Sequence, residues 1–239
     1  MTDDELISIE KKYYDILLAI LNRSLGKIIT DINSQSRFIG LTTNAKTNPI
    51  DSKAENTIEN IIANQLHWDV CSLPVSSDSC YSCGDAIVHI DVKTTQNTDI
   101  DSPAKLNRMN IEASQTSYVE GKDLNVKTVF SGHGKKPTSA NWRPKLKKYE
   151  QHTDFGQVPN ITYFVRIIYS KKHLVEEISL VCVPNGQLCD IFGGVNILQG
   201  GKSKAKKDKN KWNNIRVLLN TISSMPDQKW RNTIIYTRK

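Results

Sequence analysis

Apolar residues at Leu6, Ile9, Tyr13, Leu17 and Ile20 recur every three or four positions, the spacing of one helix face. They predict a helix from residue 3 to about 23, with Asp3, Asp4 and Glu5 at the positive end of its dipole. Its stripe suits either packing on a core or a dimer contact. Residues 40 to 52 are polar and turn-rich, and a second helix is predicted from about Ser52 to Leu66. Ile58, Ile62 and Leu66 form one stripe, and Glu55 lies one turn ahead on it. A carboxylate on the buried side of a helix is costly unless something pairs with it. Glu55 is therefore either a helix-start residue near solvent or a carboxylate looking into an active site, and Glu59 is its rival on the same helix.

Further on, the period shortens towards two. Trp68–Val75 reads as a strand ending at Pro74, and the β-branched Ile87, Val88, Ile90 and Val92 mark another. Two more strands are expected at about 161–169 and 177–183, with a turn at Pro184-Asn-Gly186. A helix is expected at 212–222, and a short helix or strand at 230–236. No repeat and no clear linker divides the chain. One domain spanning 1–239 is expected, with its core at about 52–185 and a basic region at about 196–239.

Gly84-Asp85 suits a two-residue hairpin turn with glycine first. Centring the turn there sets Ser82 against Ile87, Cys80 against His89 and Asp78 against Asp91. Directly opposed residues share a sheet face, and Lys93, two residues beyond Asp91, shares it too. Val88, Ile90 and Val92 then point to the other face with Tyr81. Two opposed carboxylates repel unless a cation binds between them. Asp85 is the alternative first carboxylate, but on a continuous strand it lies roughly 20 Å from Asp91, too far for one ion to bridge.

Asp78-(x)12-Asp91-Val-Lys93, within His-Ile-Asp-Val-Lys-Thr-Thr, resembles the PD-(D/E)xK signature of type II restriction endonucleases of the EcoRV kind. Ser77 stands where that signature has proline. The resemblance covers Glu55 to Thr95. It implies an α/β fold with a mixed central sheet flanked by helices. It also implies Mg2+ held by Asp78 and Asp91, with Lys93 activating water or stabilising charge and Glu55 assisting from its helix. The implied reaction is site-specific hydrolysis of double-stranded DNA by a homodimer, leaving 5′-phosphate and 3′-hydroxyl ends, with a cognate DNA methyltransferase in the same system. The chemistry suits these residues: hard oxygen ligands hold Mg2+, the ion lowers the pKa of bound water, and an ammonium stabilises developing charge.

Composition narrows the partner. The chain of 239 residues has a net charge of +7 and a pI of about 9.1, which favours polyanions. Lys202, Lys206 and Lys207 lie in a run of six lysines between Gly200 and Lys211 and suit phosphate contact. Asn213 and Asn214 suit adenine edges, and Arg216 guanine. Gln96 and Asn97, just past the motif strand, are further candidate DNA contacts. Lys145-Leu-Lys-Lys148 is a second basic tract.

Five cysteines, an odd number, argue against a disulfide scaffold and for a reducing cytoplasm. The acidic start lacks the order of a signal peptide, and no apolar run is long enough for a membrane span. Cys80-x-x-Cys83 has no second pair to complete a zinc site. Gly132–Lys136 and Gly200–Ser203 miss the full phosphate-loop pattern. Two other functions compete: a repair or junction nuclease with the same core, and a catalytically silent nucleic-acid-binding protein.

Overall fold

A computed structural model describes residues 1–34, 49–71, 77–97, 107–118, 124–127, 139–186, 197–200 and 210–238. Helix α1 (Asp3–Ser34) runs past its expected end because Ile28 and Ile32 continue the buried stripe. That stripe packs into the chain's own core, the plainer of its two expected roles. Helix α2 (Pro49–Gln65) buries Ile50, Ala54, Ile58, Ile61 and Ile62.

The strands are β1 (Asp69–Val70), β2 (Ser79–Ser82), β3 (Ile87–Gln96), β4 (Arg108–Glu112), β5 (Ser117–Tyr118), β6 (Leu124–Lys127) and β7 (Ser139–Trp142). They continue with β8 (Leu146–Lys147), β9 (Tyr149–His152), β10 (Gly156–Tyr169), β11 (Val175–Val183), β12 (Leu198–Gly200), β13 (Asn214–Leu218) and β14 (Asn232–Thr237). Of the expected strand at 68–75, only β1 forms among the described residues.

The central sheet has the order β1-β2-β3-β10-β11-β14, with β9 also pairing β10. It is mixed: β3 and β10 run parallel, and the other pairs are antiparallel. This is the expected α/β architecture. A smaller sheet of β12, β13 and β4 lies against it, with two two-stranded ladders, β5-β8 and β6-β7.

The helix expected at 212–222 is corrected. Residues 214–218 form β13, because Ile215 and Val217 alternate into the core, and only Leu219–Ser224 is helical (α3). The segment at 230–236 is likewise split between a 3-10 turn (Pro226–Arg231) and β14.

The central sheet is apolar on both faces, but unevenly. One face sets Val88, Ile90 and Val92 of β3, Ile161, Tyr163 and Val165 of β10, and Ile178 and Leu180 of β11 against α1 and α2. Each buried aliphatic side chain there stabilises the fold by roughly 1.5–3 kcal/mol. On the other face, Phe164, Val181 and Val183 meet Met109 and Ile111 of β4 and Ile215 and Val217 of β13. Near β3 that second face turns polar.

Candidate active site

The β2–β3 hairpin has the expected register: Ser82 pairs with Ile87, Tyr81 with Val88, Cys80 with His89 and Ser79 with Ile90. Gly84 takes φ +83°, a backbone region that glycine enters without steric cost. The ladder ends at Ser79, so Asp78 stands one residue beyond it. Asp78 Oδ2 instead accepts the Val92 N–H at 2.6 Å, which fixes its carboxylate beside the middle of β3.

Asp91 is buried, at 2% exposure, on the polar face. Lys93 Nζ lies 2.6 Å from Asp91 Oδ2, and the lysine side chain is one-quarter exposed. Gln115 Nε2 donates to Asp91 Oδ1 at 2.6 Å. Burial pushes the Asp91 carboxyl up to about 7; Lys93 opposes that rise, and Asp78 and Glu55 add to it.

Asp78 stays open to solvent at the rim. Its pKa is raised by the desolvating chain around it, against the Val92 N–H and Lys93. Glu55 on α2 is half-buried and raised by burial, then by Asp78 and Asp51, with Lys93 opposing. Glu59, one turn on, is raised by burial, Asp78 and Glu55. The structure thus brings Asp78, Asp91, Lys93 and Glu55 into one electrostatic cluster, with Glu59 at its margin. Asp51 anchors α2 to β3 by accepting a hydrogen bond from Thr94 Oγ1.

Asp85 lies elsewhere. Its carboxylate bonds Lys12 Nζ at 2.8 Å and the Tyr13 hydroxyl. Burial raises its pKa, and those partners outweigh burial to hold it below the ordinary value. Asp85 therefore ties the hairpin turn to α1.

His89 shares the Asp91 face but is buried, with Nε2 2.9 Å from Asn160 Oδ1 and Nδ1 3.4 Å from Ser77 Oγ. Burial lowers its pKa, which keeps it neutral. Cys80 and Cys83 are free thiols, and no metal-holding group of three His, Cys, Asp or Glu side chains occurs among the described residues.

Beside Lys93 opens a cavity of about 320 Å³ lined by Lys93, Thr94, Thr95, Arg108, Asn110 and Arg216. Arg216 on β13 pairs in register with Asn110 on β4. Burial and then the neighbouring Arg108 lower the Arg216 pKa, so two guanidiniums crowd this cleft. Arg166, in register with Lys93 on β10, is tied to Glu177 at 3.0 Å.

The other candidate contacts are scattered. Asn213 is exposed, and Asn214 is half-buried with a shielded Oδ1. Gln96 ends β3, half-buried, and Asn97 Nδ2 donates to Glu176 at 2.7 Å within the fold. Lys202, Lys206 and Lys207 lie outside the described residues, as does Gly132–Lys136.

Arg108, Asn110 and Gln115 carry no motif in the sequence. The alternation Arg108-Met-Asn-Ile-Glu112 is a strand signal that places Arg108 and Asn110 on one face. Nothing local marks Gln115 as a neighbour of Asp91.

The donor set fits a hard divalent cation. Asp78, Asp91 and Glu55 offer carboxylate oxygens, the hard donors such an ion takes; burial is the first cause of their raised pKa values, and repulsion from neighbouring carboxylates adds at Asp91 and Glu55, which a cation would relieve. Two carboxylates rather than a full protein cage suit Mg2+, which keeps several waters.

No curated protein sequence matches the chain. Two solved structures share its fold, each at 15% identity. One is the restriction endonuclease BglI bound to its DNA recognition sequence, with a TM-score of 0.75 over 99% of this chain and 93% of that one. The other is the tetrameric restriction endonuclease SfiI bound to cognate DNA, with a TM-score of 0.71 over 100% of this chain and 89% of that one. The family model described as the type II restriction enzyme MwoI, N-terminal domain, matches residues 4–173. The chain thus belongs to that family of type II restriction enzymes and has a restriction-endonuclease fold.

Proposed function

We propose that this chain is a Mg2+-dependent, site-specific endonuclease that hydrolyses phosphodiester bonds of double-stranded DNA. The observation that carries this reading is the Asp91–Lys93 pair at 2.6 Å, with the Asp78 carboxylate bonded to the Val92 N–H of the same strand and the arginine-lined cavity alongside. Asp78 and Asp91 would hold Mg2+, which when bound polarises a phosphate oxygen and acidifies a water.

Lys93 presents its ammonium where negative charge grows on the phosphate and orients the attacking water. Glu55 adds a carboxylate from α2 at the same rim. The water oxygen would bond to phosphorus as the P–O3′ bond breaks; the proton that this water loses passes to solvent and one from solvent water goes to the leaving oxygen, which gives a 3′-hydroxyl on one fragment and a 5′-phosphate on the other.

Arg108, Asn110 and Arg216 line the cleft with groups that suit guanine and adenine edges or phosphate. Lys202, Lys206 and Lys207, with Asn213, Asn214, Gln96 and Asn97, are further candidate DNA contacts. A homodimer would place one site on each strand of a two-fold symmetric target, in a cytoplasm that also holds the cognate methyltransferase.

The test is digestion of long, unmethylated phage DNA with Mg2+, beside an EDTA control. Discrete, reproducible fragments that EDTA abolishes are expected. A smear would favour a nuclease without site specificity. Intact DNA with a retarded gel band would leave a binder.

A further inference from the structure

Gln115 closes the 3-10 turn that follows β4, and it is buried at 3% exposure. Its carbonyl Oε1 accepts the Glu112 N–H at 3.0 Å, one half of a capping box whose other half is the Glu112 side chain. That bond fixes which way the amide faces. The reverse orientation would set Oε1 against a carboxylate, acceptor against acceptor. The NH2 group therefore points to Asp91, and its Nε2 lies 2.6 Å from Oδ1.

A cap alone needs only Oε1. The NH2 group does something more: it occupies one Asp91 oxygen and leaves Oδ2 turned towards Lys93. Asp91 sits on β3, far along the chain from Gln115, so this contact joins the small sheet to the site strand.

We propose that Gln115 is a positioning residue, which holds the Asp91 carboxylate in the orientation that binds the divalent cation. This rests on the reading of Asp91 as a metal ligand. Partners that orient a metal-binding carboxylate typically matter by 10- to 100-fold in metal affinity. The same amide donates to charged Asp91, which offsets part of the cost of burying it.

The test uses the full chain and Mn2+ alone, with binding followed by loss of the free-ion EPR signal. Four proteins are compared: the parent, Asp91→Ala, Gln115→Met and Glu112→Ala. Gln115→Met should weaken Mn2+ binding about tenfold or more. Glu112→Ala, which removes only the other half of the capping box, should lower Tm and leave Mn2+ affinity at the parent value.

Parent-like Mn2+ affinity in folded Gln115→Met, with binding lost in Asp91→Ala, would overturn the role of Gln115 alone. Undiminished binding in Asp91→Ala, or none in the parent, would overturn the metal-ligand reading as well. Should Gln115→Met not fold, the parent chain carries the test through 15N-glutamine NMR. The Gln115 side-chain amide signal should then shift as Mg2+ saturates the site. An unmoved signal would overturn the proposal.

Discussion

Two buried acid–base pairs lie on opposite sides of the central sheet, and they differ in how completely they are satisfied. Glu10 of α1 and Arg231 are almost wholly sequestered, with Oε2 and Nη2 2.5 Å apart. Glu10 Oε1 accepts the Asn185 N–H at 2.7 Å. Arg231 donates through Nε to Gln228 and through Nη1 to the Cys182 sulfur. Each partner has its own further ligands, and the pair locks α1 to the chain's C-terminal part.

Asp91 and Lys93 are as close, at 2.6 Å, but Lys93 is partly exposed and more carboxylates crowd the pair. A closed pair fixes a fold. An open pair with further carboxylates beside it is the one to which the proposed function assigns a cation and a phosphate. Burial alone does not separate the two cases; the further carboxylates beside Asp91 and the neighbouring cleft do.

The largest effect that sharpens this contrast is on rate. Lys93→Ala should slow single-turnover DNA cleavage on the order of a thousandfold, by removing charge stabilisation at the phosphate, with little change in Tm. Glu10→Ala should do the reverse. It strands a buried guanidinium and should cost about 3–5 kcal/mol in urea denaturation, with cleavage per folded molecule unchanged.

A smaller effect has the opposite sign. The folded pKa of Asp91, about 7, lies above its unfolded value, so the folded chain binds the proton more tightly. Metal-free stability should therefore fall as pH rises from about 4 through about 7. Asp91→Asn should flatten that fall and stabilise the metal-free chain at about pH 8, on the order of 2 kcal/mol. Equal parent and variant stabilities at that pH would remove Asp91 as the source.

The smallest effect concerns the ion itself. As the proposed metal ligand, Asp91 would bind Mn2+ only when ionised, so the apparent affinity should fall about tenfold per pH unit below 7 and level off above it. Calorimetry across that range checks it.

The open pair was the more legible of the two in the sequence. Asp91 and Lys93 are two residues apart on one strand, and strand alternation alone puts them on one face. Gly84-Asp85 then fixed the register that brings Asp78 alongside. Glu10 and Arg231 are 221 residues apart, and no local pattern pairs them.

Gln115 was hidden for the same reason: it reaches Asp91 only after the small sheet packs on the central one. At 212–222, the helix reading took a stretch whose first half, Asn214-Ile-Arg-Val-Leu218, alternates buried and half-buried residues as a strand. That alternation places Arg216 on a strand; its pairing opposite Asn110 arises only when β13 meets β4.

The most direct measurement is a side-by-side digestion of long, unmethylated DNA with Mg2+, using the parent, Asp91→Ala and Glu10→Ala, each below its melting temperature. Discrete fragments from the parent and Glu10→Ala, and none from Asp91→Ala, are the expected result. Cleavage that survives in Asp91→Ala would contradict the assignment of chemistry to the open pair.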